Sequence, residues 1–147
     1  MHINKQKSTS GIKMKAEIKS LWVNALLSGE YHQGVDRLRS VSETGRTKFC
    51  CLGVLCNLHA QAHLEIANRE LSPDYYLGSQ YYLPKAVVRW AGLELVVAKR
   101  PLKASGNLSI KSMTKIERDQ ITLGNLSAFN DDGTSFKQIA KIIQTHL

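Results

Sequence analysis

Acidic side chains are scarce in this chain: 12 Asp and Glu stand against 20 Lys and Arg, a formal charge of +8 over 147 residues. Such a surface attracts phosphate-bearing or acidic partners, or simply keeps the protein solvated. Long apolar runs are missing too. Even the stretch from Phe49 to Leu58 falls short of the ~18 to 20 residues that a membrane span needs, so no transmembrane helix is expected. Met1 to Gly11 is polar with no apolar stretch behind it, which argues against a secretory signal and for a cytoplasmic location. Cysteine is both scarce and odd in number: Cys50, Cys51 and Cys56 make a poor disulfide framework and are expected to be reduced and buried. No Gly-rich phosphate loop, zinc-protease motif, Ser/His/Asp order, repeat or low-complexity tract stands out.

A chain of this length forms one domain, burying roughly 68–70% of its unfolded surface. Its charge is uneven. Residues 1–48 carry nine cations against four acids, residues 49–84 one against three, residues 85–118 eight against two, and residues 119–147 two against three. Two basic segments thus bracket a near-neutral centre, and Lys99 to Lys115 holds five cations and no acid.

Residues 1–12 lack periodicity and are expected to form a flexible tail ahead of a globular domain over 13–147. Met14, Ile18, Leu21, Trp22, Ala25 and Leu26 recur at helical spacing, with Gly29 as the stop. Tyr31 to Val41 alternates in polarity, Ser42 to Gly45 is a turn, and Arg46 to Cys50 leaves it extended. Together they predict a β-hairpin that gathers Arg37, Arg39, Arg46 and Lys48. From Cys51 the spacing of Cys51, Leu55, Leu58, Ala62 and Ile66 predicts a buried helix, with Gly53 in close contact with the first helix. A loop with Tyr75, Tyr76, Tyr81 and Tyr82 leads to a short helix opened by Pro84 and closed by Gly92. Leu93 to Ala98 reads as a strand, and Lys99 to Met113 as a basic loop or second hairpin leg. Thr114 to Glu117 and Ser135 to Gln138 have capping-box form, the second opening an amphipathic helix that buries Phe136, Ile139, Ala140, Ile142 and Ile143. The fold class is therefore α+β: a single domain of four or five helices packed on a small antiparallel sheet with a β-hairpin.

Four segments carry a resemblance. They are Trp22-Val23-x-Ala25-Leu26-x-Ser28-Gly29-x-Tyr31-x-Gln33-Gly34; Phe49-Cys50-Cys51-Leu52-Gly53-Val54-Leu55-Cys56; Leu83-Pro84 with Trp90-x-Gly92-Leu93; and Leu126-x-x-Phe129-Asn130-Asp131-x-Gly133-x-Ser135-Phe136-x-x-Ile139-Ala140-x-x-Ile143. The chain resembles a family of small phage and prophage proteins without assigned activity. That resemblance implies an accessory protein made in the host bacterial cytoplasm, of a kind that blocks a host factor or sequesters a small signalling molecule. It implies no catalytic residues.

Each candidate site competes with a plainer role. Cys56, His59 and His63 lie on one side of a helix at metal-ligand spacing, but no fourth ligand is evident. Cys50 and Cys51 have Lys48 and His59 nearby, yet their apolar neighbours suit inert packing better than nucleophilic chemistry. Asn130-Asp131-Asp132-Gly133 offers paired carboxylates, and it is equally a routine way to leave one helix and enter the next. The last helix resembles the opening of a helix-turn-helix, whose second helix has no counterpart before Leu147, so core packing is expected of it. Tyr75, Tyr76, Tyr81, Tyr82 and Trp90 between basic segments are placed to stack on bases or to close over the core.

The reading that follows is a phage-encoded, non-enzymatic binding protein that antagonises a host defence system. Its partner would be a protein component or a nucleotide-like signal, bound by Tyr31, Gln33, Arg37, Arg39 and Lys48 with Tyr81 and Tyr82 opposite, and no cofactor is expected. The alternatives are a nucleic-acid-binding accessory protein and, last, a small enzyme using Cys or Asp residues. The hairpin edge leaves a homodimer open.

Overall fold

The structure is a computed structural model that describes residues 14–67, 74–94 and 123–147. The expected amino-terminal tail, residues 95–98 of the strand expected from Leu93, the basic segment from Lys99 to Lys115 and the capping box at Thr114 lie outside the described residues. Leu93 and Glu94, which would open that strand, do not form it, since Leu93 N–H closes onto Val88 O (2.9 Å) after left-handed Gly92 and Glu94 is helical. These residues hold six helices and a two-stranded sheet in α+β arrangement. They are α1 (Ala16–Leu27), β1 (Arg39–Val41), β2 (Thr47–Phe49), α2 (Cys51–Ala62), α3 (Leu64–Ala67), α4 (Lys85–Ala91), α5 (Leu123–Asp131) and α6 (Phe136–His146).

Helix α1 buries Ile18, Trp22, Val23 and Leu26 at helical spacing, while Leu21, expected inside, is half exposed. It packs on α6, which buries Phe136, Ile139, Ala140, Ile142 and Ile143 as their spacing predicts. The Ser135 hydroxyl accepts from the Gln138 N–H and the Gln138 side chain accepts from the Ser135 N–H, completing the capping box. The start of α1 is tied at two points: Met14 N–H donates to the Leu147 carbonyl (3.1 Å) and Lys15 N–H to that of Ala91 (2.9 Å). The two chain-distant ends of the core are thereby joined through one short segment.

Helix α2 is the spine. Every residue from Cys51 to Cys56 is buried, so its first turn and a half is enclosed on all sides rather than along one stripe. The expected face ends early: Ala62 is exposed, and Ile66 belongs to α3. The Trp22 indole N–H, fully buried, donates to the Cys51 carbonyl (2.9 Å) and locks α1 onto α2. The Cys51 thiol reaches the Leu126 carbonyl of α5 (3.6 Å). Truncating a core tryptophan of this kind costs roughly 3–5 kcal/mol.

The hairpin pairs Arg39 with Phe49, Ser40 with Lys48 and Val41 with Thr47. Its loop closes through bonds from Gly45 N–H to Ser42 O (2.9 Å) and from Ser42 N–H to Arg46 O (2.8 Å), with Gly45 at φ +84°, the left-handed position that a three-residue hairpin loop requires. The first strand is shorter than its alternation suggests because Asp36, at φ +70°, breaks the extended run. On the other edge of β2, His32 and Gly34 pair with Phe49 in parallel sense, giving a third rung of sheet bonds.

The backbone approaching Gly53 belongs to this hairpin and not to α1, which corrects the expectation from sequence. A Cβ at Gly53 would lie 1.7 Å from the Leu38 carbonyl oxygen. That carbonyl accepts from Cys50 N–H (3.3 Å), and Leu38 N–H donates to Gln80 O (2.8 Å), so Leu38 is pinned from both sides and cannot retreat. Gly53→Ala is expected to lower stability by about 3 kcal/mol, the upper end of what overpacking costs. Urea-denaturation midpoints of the two proteins measure it, and a variant within experimental error of the parent would show that the hairpin moves freely off α2.

Candidate functional site

The site is built on two amides that the sequence reading did not single out as a pair. Asn130, 1% exposed at the end of α5, uses every hydrogen-bonding position it has. Its Oδ1 accepts from Cys51 N–H (3.1 Å) and Gln33 Nε2 (2.9 Å), and its Nδ2 donates to Gly34 O (2.8 Å) and Asp131 Oδ1 (3.3 Å). The bond to Cys51 matters for α2, whose N-cap Cys50 makes no side-chain cap. A helix start leaves N–H groups unpaired, and here an asparagine from another helix serves one of them. Gln33 acts likewise on α6: its Oε1 accepts from Phe136 N–H (3.0 Å) and its Nε2 also donates to Thr134 O (2.8 Å). Gln33, expected to face a partner, is thus committed inside the fold.

These bonds hold the segment that follows Gln33. Gly34 N–H donates to Phe49 O (2.7 Å), and a Cβ there would meet Lys48 Cβ at 2.9 Å, so the chain lies flat against β2. Arg37 N–H then donates to Val35 O (2.8 Å) around Asp36 at φ +70°, a γ-turn of the rare, strained hand. Asp131 Oδ1 accepts from Asp36 N–H (2.9 Å) and braces it. Val35 and Arg37 stand exposed on the turn, between residues fixed at Gly34 and Leu38.

The remaining expected residues separate. Tyr31 is half buried, edge-on to Phe49 with ring centres 5.2 Å apart, its hydroxyl accepting from Asn57 Nδ2 (2.7 Å). Arg39 and Lys48 do not gather: the register pairs Arg39 with Phe49 and Lys48 with Ser40, and side chains one position apart point to opposite faces of a ribbon. Lys48 is exposed. Arg39 is half buried on the face toward α2, lining a cavity of about 30 Å³ with Phe49, Gly53, Cys56 and Asn57. Tyr81 and Tyr82 are exposed, Tyr82 at 81%, and Leu38 N–H bonding to Gln80 O sets their segment beside the turn.

Of the tyrosines considered for base stacking, Tyr76 turns inward. It sits at a two-residue turn with Leu77 at φ +49° and Gly78 at φ +82°, closed by reciprocal bonds between Tyr76 and Ser79. Its hydroxyl lies 2.7 Å from Nδ1 of buried His59, and burial pushes the phenol up to about 12. Trp90 stands edge-on to His59 at 5.2 Å. His63 stacks on His59 at 4.1 Å and turns its own Nδ1 to the His59 carbonyl (2.7 Å). Cys56, His59 and His63 therefore pack instead of converging, and among the described residues no group of three or more His, Cys, Asp or Glu could hold a metal ion. Burial raises the pKa of all three thiols, the opposite of what a nucleophilic cysteine needs.

A family model matches residues 14–147. The chain belongs to the family described as Domain of unknown function (DUF8296). No curated protein and no solved structure matches it. The family's extent takes in every residue of the site, from Gln33 to Phe136.

Asn130→Ala is expected to cost about 3 kcal/mol, because the buried Cys51 N–H and Gly34 O each lose a partner at ~1–3 kcal/mol; calorimetric melting checks this. A second expectation concerns pH. Burial, then the neighbouring His63, holds the His59 pKa below its ordinary 6.5, against a smaller opposing pull from Glu65. A base with a depressed folded pKa gains a proton on unfolding, so stability is complete above pH 6.5 and declines as the pH falls below it. The slope is at most about 1.4 kcal/mol per pH unit for one proton. His59→Gln should flatten that decline, and denaturation midpoints that run parallel for the two proteins between about pH 5 and 7 would assign it to another group.

Proposed function

We propose that the chain is a phage-encoded, non-enzymatic binding protein that antagonises a bacterial defence system by occupying one of its protein components. One observation carries the reading: the strained turn at Asp36, anchored at both ends and braced by Asp131, presents exposed Val35 and Arg37 beside exposed Tyr81 and Tyr82. Strain kept in an exposed, non-catalytic turn has a use when it fixes side chains for a partner, since ordering them beforehand lowers the entropy lost on binding. Tyrosine and arginine are also the residues that most often dominate interface energetics. The resemblance to phage and prophage proteins supplies the biological setting.

Among the described residues, size argues against a nucleotide-like ligand at Arg39. The cavity beside Arg39 has about 30 Å³, against the ~300–1,000 Å³ of ordinary small-molecule sites. The enzymatic alternative draws no support from thiols that burial keeps protonated or from an Asp131 engaged in bracing a turn. The charge of +8 speaks for nucleic acid as a second reading, and salt separates the two.

The test is plating of phage on bacteria carrying single defence systems, with and without the expressed chain. Relief of one system is expected. Arg37→Ala and Tyr82→Ala should each weaken it, since losing an interface anchor costs roughly 2 kcal/mol or more, while melting temperatures stay within the small range usual for surface changes. Relief of no system, or relief indifferent to both substitutions, would sink the proposal. Saturable DNA or RNA binding at about 50 mM salt that weakens steeply as salt rises would move the assignment to nucleic acid.

A further inference from the structure

A small cavity opens beside Arg39. It lies between the hairpin, α2 and the turn at Tyr76, with Leu38, Phe49 and Ala60 as apolar walls and Arg39, Asn57 and Tyr76 as polar members. Among the described residues Arg39 is the one charged member of its lining, and its Nε is buried without a hydrogen-bond partner. A guanidinium has five N–H donors and no acceptor, and a charged donor buried with its bond unmade is among the costlier features a fold retains. No described neighbour accepts from Nε; Asn57 Nδ2 donates to Tyr31, and the Tyr76 hydroxyl bonds His59.

We propose that this cavity binds a single carboxylate group, held by the guanidinium of Arg39. The volume exceeds the ~10–15 Å³ that admits one water and suits a three-atom planar group. The planar guanidinium fork matches a carboxylate with two parallel bonds, which an ammonium does not. One cation and no acid among the described lining residues call for a monoanion, whereas a phosphate dianion would leave a charge unmatched against apolar walls. The site is preformed, because Leu38 and Gly53 are held in contact by the bonds that pin the hairpin to α2. Tyr76 adds a donor: with His59 in its Nδ1–H form, the phenol accepts from the ring and turns its own proton to the guest.

A carboxylate arrives here as a small free acid or as the acidic side chain of a bound protein. The Arg39 Nε–H resonance of the full chain, assigned by its loss in Arg39→Lys, reports on both. It is titrated with formate, acetate and the methylamide of N-acetyl-glutamate, with chloride and phosphate as controls at matched ionic strength. A saturable shift with formate and acetate is expected, together with a melting temperature that rises with formate in the parent and not in Arg39→Lys. A shift with the glutamate derivative as well assigns the cavity to a partner's side chain, and its absence to a free acid. Ala60→Leu, which fills the space, should abolish the shift. No saturable shift with any carboxylate, or an equal one with chloride or phosphate, overturns the proposal. This outcome does not depend on the defence assay, so either reading survives failure of the other.

Discussion

The structure depends on one buried side-chain amide. Asn130 touches the start of α2, the segment before the hairpin, the glutamine that caps α6 and the aspartate that braces the strained turn. An asparagine is suited to this because its amide offers two donors and two acceptor positions in one plane. Leucine at this position would fill the space and leave Cys51 N–H and Gly34 O buried without partners, and such groups cost more than the apolar contact returns. Aspartate would present two acceptors to Gly34 O, itself an acceptor. Four partners around one rigid group fix the relative positions of elements that otherwise meet through non-directional apolar packing.

That geometry explains how an exposed turn keeps a left-handed aspartate. Asp36 at φ +70° costs of order 1–3 kcal/mol, and a free loop would relax. Gly34 is held by the Asn130 amide and by β2, Leu38 by Gln80 and Cys50, and Asp131 supplies the acceptor for the Asp36 N–H. Few conformers remain for the three residues between those anchors. The proposed binding surface is a by-product of core order, which places its variants in two groups: changes at Val35 or Arg37 alter the surface alone, and changes at Asn130 reach the core.

What could be read in the sequence was local. The spacing of Phe136, Ile139, Ala140 and Ile143, the Ser135–Gln138 box, the start of α2 at Cys51 and the turn at Gly45 each declare themselves within a few residues, and the structure holds all four. The site was not local. Asn130 meets Cys51 across 79 residues and Gln33 across 97, and its Asn-Asp-Asp-Gly setting reads as an ordinary helix exit, which it also is. The grouping of Arg39 with Lys48 failed by parity: the pairing sets Arg39 opposite Phe49 and Lys48 opposite Ser40. Gly53 announced a close approach correctly but not its partner, because a missing Cβ identifies a contact and not what makes it.

The cations divide by task, Lys48 by that parity and Arg37 by its place on the turn. Lys48 and Arg37 keep their charges in water, where they contribute to the long-range field of a basic protein and cost little to maintain. Arg39 faces inward toward α2, where a charge is tolerated only if its donors are met. Replacing it with an apolar residue of similar volume would complete the packing, as buried ionic groups often permit. A fold that keeps an arginine there, with Nε unserved by the protein, keeps a donor for something else. The cavity beside it limits that something to a group of a few atoms, and the positive charge of Arg39 sets its sign.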